Sequence, residues 1–123
     1  MTSRIAFRIG VSQEQMNREI VAECEAAVAA AARGETIEAT HSIHFETWAD
    51  FFKKITPNRI AILEHVEAHE SIASMYALAK ALDRSYPAVH ADVVALVELG
   101  LLHREGNELR SFAPLANAEM IAA

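Results

Sequence analysis

The stretch Ser85-Tyr86-Pro87-Ala88-Val89-His90-Ala91-Asp92-Val93-Val94-Ala95-Leu96-Val97-Glu98-Leu99-Gly100-Leu101-Leu102-His103-Arg104-Glu105-Gly106-Asn107-Glu108-Leu109-Arg110-Ser111-Phe112 decides the fold. Its first half places Tyr86, Val89, Val93 and Leu96 on one face of a 3.6-residue wheel, which predicts a helix over residues 86–99 that Gly100 stops. Two short extended pieces follow, residues 101–105 and 108–112, on either side of the turn dipeptide Gly106-Asn107. That is a hairpin signature.

Upstream, Thr56-Pro57 pairs a capping threonine with a proline at the first helical position, where its missing N–H costs nothing. The helix it opens runs to about residue 69 with Ile60, Ile62, Leu63 and Val66 as its apolar stripe. Residues 71–73 read as extended, residues 75–82 as a second helix with Leu78 and Leu82 inward, and Asp83-Arg84-Ser85 as the turn into the third. Three short helices, a tight turn between the last two and an immediate hairpin is the order of a winged helix-turn-helix. In that arrangement the third helix can enter a major groove about 12 Å wide, with the hairpin as a wing beside it.

Ahead of this block, Ile5, Phe7, Ile9 and Val11 alternate with small or polar neighbours, the period of a half-buried strand. Ser12 offers a helix cap, with Gln15 completing a capping-box pattern. The helix runs to about residue 33, with Met16, Ile20, Cys24, Ala27, Val28 and Ala31 as one face and Gly34 as the stop. His41, Ile43 and Phe45 alternate again and are placed to pair with the first strand. Thr47 caps a short helix whose Trp48, Phe51 and Phe52 are expected to anchor a core. The expected fold class is α+β, mainly helical: a strand-helix-strand arm over residues 1–55, a winged helix-turn-helix over 56–112 and a tail over 113–123. The arm is the expected dimerisation element, with its helix and the Met120-Ile121 tail as contact surfaces.

The chain has 123 residues, and 24 of its apolar residues are alanine, which favours close-packed helices. Its one cysteine, Cys24, cannot form an internal disulfide. There is no signal-peptide pattern and no run of about 20 apolar residues, so a cytoplasmic protein without a membrane role is expected. The four glycines sit at stops and turns, with no phosphate loop or nucleophile motif, so neither enzyme nor cofactor is expected. His65 and His69 have a zinc-compatible i, i+4 spacing, but the glutamate between them does not match H-E-x-x-H and there is no third ligand, so no metal is expected. His41 and His44 fall on opposite sides of a strand.

The wording of the central region resembles the MarR-like winged-helix predicted transcriptional regulators. It does so through Ile55-Thr56-Pro57-Asn58-Arg59, Leu78-Ala79-Lys80-Ala81-Leu82, Ser85-Tyr86-Pro87-Ala88-Val89-His90-Ala91-Asp92-Val93 and Leu96-Val97-Glu98-Leu99-Gly100-Leu101-Leu102. Ile43-His44-Phe45-Glu46-Thr47 is similar to the strand those proteins carry ahead of the first helix, and the likeness spans about residues 43–114. The resemblance implies a homodimer bound to double-stranded operator DNA, and in some such proteins an antitoxin-like partnership with a toxin. One departure matters: the outward face of the third helix is Pro87, Ala88, Ala91, Val94 and Ala95, with His90 at its flank. Small apolar side chains cannot make bidentate bonds to guanine or adenine, so readout by this helix shrinks to contacts with thymine methyls.

The expected DNA-contacting set is Lys80, Arg84, Ser85, Tyr86, His90, Arg104, Asn107 and Arg110, acting mostly on phosphates. The alternative expectation is a protein-interaction module that uses the apolar face of the third helix. Net charge is −6, divided as −2, −3 and −1 over residues 1–55, 56–112 and the tail. Glu64, Glu67 and Glu70 belong to the side of the first helix turned from DNA, while Lys80, Arg84, Arg104 and Arg110 are expected to converge. The acidic balance predicts weak non-specific affinity and strong salt sensitivity.

Overall fold

Strand β1 (Ser3–Ile9), helix α1 (Gln13–Ala32) and strand β2 (Ala39–Phe45) open the chain, and β2 lies parallel to β1 with Phe7 opposite Ile43 and Ile9 opposite Phe45. Parallel neighbours need a crossover, which α1 supplies. The structure is a computed structural model that describes residues 3–35, 39–69 and 71–122. Glu70 lies outside the described residues.

Residues 119–122, expected in a separate tail, form strand β6 (Glu119–Ala122), parallel to β1 on its other side with Phe7 opposite Met120. The sheet order is therefore β2-β1-β6. One face of this sheet buries Ile5, Phe7, Ile9, Ile43 and Phe45. The ring of Phe51, from helix α2 (Trp48–Lys54), meets Phe7 and Phe45 edge-on at 5.4 and 5.3 Å. The other face of β1 is covered too: Ala6 and Arg8 are buried, and Arg8 pairs with Glu19 and Glu23 of α1. A central parallel strand with cover on both faces explains why half-burial was an underestimate.

Two further expectations about this half change. Along α1 only Ala30 is buried, while Ile20, Val21 and Val28 are 56%, 55% and 71% exposed. A single helix meets a three-stranded sheet along a narrow line, here held by the Arg8 ion pairs with Met16 and Ala27 half-buried, so Ile20, Val21 and Val28 are left largely to solvent. On α2 only Phe51 is buried; Trp48 and Phe52 stack on each other at 6.0 Å and stay exposed, because seven residues present one inward position.

The other half begins with helix α3 (Pro57–Ala68) and continues through strand β3 (Ser71–Ile72), α4 (Met75–Ala81), α5 (Tyr86–Glu98), β4 (Leu102–Glu105) and β5 (Glu108–Ser111). Each helix begins at a hydroxyl that accepts from the backbone N–H three residues on: Thr56 from Arg59, Ser74 from Ala77 and Ser85 from Ala88. At α1 the Ser12 half of the capping box forms, while the Gln15 amide donates to Glu19 instead. Strands β3, β5 and β4 make an antiparallel sheet in that order, with Ile72 opposite Leu109 and Arg104 opposite Leu109 from the other side. Ile62, Val66, Leu78, Val89, Val93, Leu96, Leu101 and Leu109 are fully enclosed between the helices and this sheet.

The two halves share one core, and His41 joins them at the surface. From β2 its Nε2–H donates to the Leu99 carbonyl at 2.8 Å, and its ring stands edge-on to Phe112 at 5.4 Å. A carboxylate oxygen of Glu67 on α3 accepts from the Leu115 N–H at 3.1 Å, which guides the chain from β5 back towards β6. No helix among the described residues is long and apolar enough to cross a membrane.

Candidate nucleic-acid interface

The turn between α4 and α5 sets the site. Asp83 takes φ +52°, a left-handed conformation that aspartate tolerates, and the Arg84 N–H returns to the Ala79 carbonyl at 3.0 Å to close α4. Ser85 then caps α5, so its hydroxyl oxygen is engaged while its proton remains free to donate. Lys80, in the last turn of α4, is exposed.

Arg84 does not face outward with them. Its Nη2 donates to Asp92 Oδ2 at 3.0 Å, and its Nη1 is buried without a hydrogen-bond partner among the described residues. Asp92 Oδ1 accepts from Arg59 Nε at 3.1 Å, and Arg59 Nη1 reaches the Lys54 carbonyl at 2.8 Å. One carboxylate on α5 thus holds an arginine from α3 and one from the turn, fixing the start of α5 against α3. This clamp escaped sequence reasoning, although Arg59 and Asp92 both lie in the segments that carry the family resemblance and Arg84 directly precedes one of them.

Tyr86, which the wheel put near the core, is 46% exposed, and its ring lies 5.8 Å from that of His90. The stripe below it is as expected, with Val89, Val93 and Leu96 fully buried. Pro87, His90, Ala91 and Val94 are exposed, while Ala88 and Ala95 are half-buried. The outward face of α5 therefore offers one tyrosine, one histidine and small apolar groups.

On the hairpin the basic residues diverge rather than converge. Arg104 stands opposite Leu109, and Arg110 opposite His103, in adjacent rows of the ladder. Successive residues of a strand point to opposite faces, so Arg104 and Arg110 lie on different sides of the sheet. Arg104 lines a cleft with Met75, Val93, Val94, Val97 and Glu98, which puts it beside α5. Its Nε donates to the Gly106 carbonyl at 3.0 Å, folding the side chain along the turn next to the exposed Asn107. Arg110 donates to Glu108, and that hydrogen bond and charge raise its guanidinium pKa further above the ordinary value.

Elsewhere, His69 Nδ1–H donates to the His65 carbonyl at 2.8 Å and the two rings lie 4.2 Å apart. Burial, with the charge of His69, holds the His65 pKa below the ordinary histidine value. Among the described residues no group of three or more His, Cys, Asp or Glu is placed to hold a metal ion. A family model described as HVO_A0114 matches residues 54–122, more than half of the chain. Neither the curated proteins nor the solved structures contain a match to it.

Proposed function

We propose, from the geometry of residues 56–112 and the resemblance of their sequence, that this chain, which belongs to the HVO_A0114 family through residues 54–122, is a homodimeric, cytoplasmic, MarR-like transcriptional regulator that binds double-stranded DNA and is not an enzyme. In this reading residues 56–112 are a winged helix-turn-helix, with α4 bracing α5 and the β4–β5 hairpin as the wing. The observation that carries it is the placement of Arg104 on the hairpin beside the C-terminal half of α5, with Ser85, Tyr86 and His90 exposed towards that helix's N-terminus. The Ser85 hydroxyl, the Tyr86 and His90 side chains and the exposed cations Lys80 and Arg104 are groups that suit phosphate oxygens.

Arg84 serves in this reading as a positioning residue that holds α5 through Asp92. Arg110, on the far side of the wing and paired to Glu108, contributes less than Arg104. A gel shift on DNA from upstream of the protein's own gene tests this at low salt. Arg104→Ala is expected to weaken retardation about fivefold, on the order of 1 kcal/mol, and Arg110→Ala by less than twofold. Absence of retardation by the unaltered protein at low salt overturns the DNA reading.

A second reading has its own observation. Tyr76 is 69% exposed on α4, and the cleft beside Val94 and Val97 is predominantly apolar, so the same face suits a protein partner such as a toxin. Undiminished partner binding by Arg104→Ala protein whose DNA retardation is weakened would show that the face serves both.

A further inference from the structure

We propose that two copies of the chain pair through the outer faces of α1, antiparallel and in full overlap, with Arg18 of each copy against Glu25 of the other. This rests on the homodimeric part of the reading above and does not depend on DNA. The inner side of α1 is spent on the sheet through Glu19, Glu23 and Ala30. On the outer side Asn17, Val21, Cys24, Val28 and Ala31 recur at alternating intervals of four and three, and all five are exposed. That spacing is the a/d seam of a coiled coil, here with Val21 and Val28 at one position and Cys24 and Ala31 at the other. The intervening small residues let two helices approach closely along about 30 Å.

Charge and length together choose the occupant and its direction. Arg18 and Glu25 flank the seam at the same heptad position, and among the described residues neither has an ion-pair partner within the chain. Parallel pairing of two identical helices would set each of these positions against the partner's other flank, Arg18 beside Gln13 and Glu25 beside Ile20, and leave both charges unmatched. Antiparallel pairing brings Arg18 towards Glu25 on both sides of the two-fold axis. The register that seats Val21 against the partner's Cys24 puts that axis between Ala22 and Glu23, the midpoint of Gln13–Ala32. Both helices then overlap from end to end, whereas a shift of one heptad leaves about two turns of each unpaired.

The test combines mass measurement with cysteine pairing and charge exchange in the full chain. Light scattering is expected to give the mass of two chains. Val21→Cys, exposed in the single chain, is expected to yield a covalent dimer on oxidation with diamide that is lost when Cys24→Ser is added. Arg18→Glu is expected to raise the dimer dissociation constant about tenfold and Arg18→Glu with Glu25→Arg to restore it, with circular dichroism confirming that each variant stays helical. A dimer that V21C fails to cross-link, or in which the unaltered Cys24 alone forms the bridge, overturns the proposed pairing and leaves the homodimer standing. A monomer at every concentration overturns both.

Discussion

Gly100 is where a single atom would change the molecule. At φ +80° a Cβ there would sit 2.3 Å from His41 Nε2, on the ring that bonds Leu99 and packs on Phe112. Gly100→Ala adds left-handed strain of about 1 kcal/mol and expels the histidine, whose hydrogen bond is worth about 1 kcal/mol. Urea unfolding is expected to show Gly100→Ala destabilised by about 2–3 kcal/mol. In a His41→Ala background the same change is expected to cost only about 1 kcal/mol, a non-additivity that reports the contact directly. The need for a glycine after α5 was legible as a helix stop; its neighbour, 59 positions earlier, was not, because nothing local in the sequence couples residues 41 and 100. The same holds for Asp92, whose two arginines come from different elements. Arg84 looked available for DNA because a turn arginine is ordinarily solvated, and only the carboxylate on the next helix turns it inward.

At the level of elements the local signals worked where they were complete. Hydroxyls at the expected caps Ser12, Thr47 and Thr56 each accept from the third N–H onward, and the strand and helix periods of β1, β2, α3, α4 and α5 were visible in the spacing of apolar residues. Periodicity specifies a face but not what covers it. Along α1 the expected face ran through Met16, Ile20 and Cys24; Met16 is half-buried and lines the space against the sheet with Arg8, Glu19 and Glu23, while Cys24 is exposed, because the ion pairs to a buried Arg8 set which side of the helix turns inward. The parallel pairing of β6 was invisible because its partner lies more than a hundred residues away. Helix α2 provides a sharp contrast between neighbours. Phe51→Ala is expected to lower stability by about 3–4 kcal/mol by emptying the site against Phe7 and Phe45, while Phe52→Ala, removing a 64% exposed ring, is expected to stay within about 0.5 kcal/mol. Thermal or urea denaturation of the pair checks this.

For the whole molecule, the net charge of −6 sets how DNA would be held. Lys80 and Arg104 are the exposed cations of the proposed contact set not turned away and paired as Arg110 is, so a dimer neutralises about four phosphates and the slope of log affinity against log salt is expected near −3.5. Arg104→Ala is expected to flatten that slope by about 2 per dimer, measured by titration between 50 and 200 mM salt. The order β2-β1-β6 has a consequence for the life of the chain. Strand β1 is synthesised first and gains β2 early, but its other edge is met by Glu119–Ala122 only after the entire helical half has left the ribosome. Until Glu119–Ala122 emerges β1 therefore carries an open, apolar edge, and ribosome-bound chains halted before residue 119 would be the species most prone to join one another.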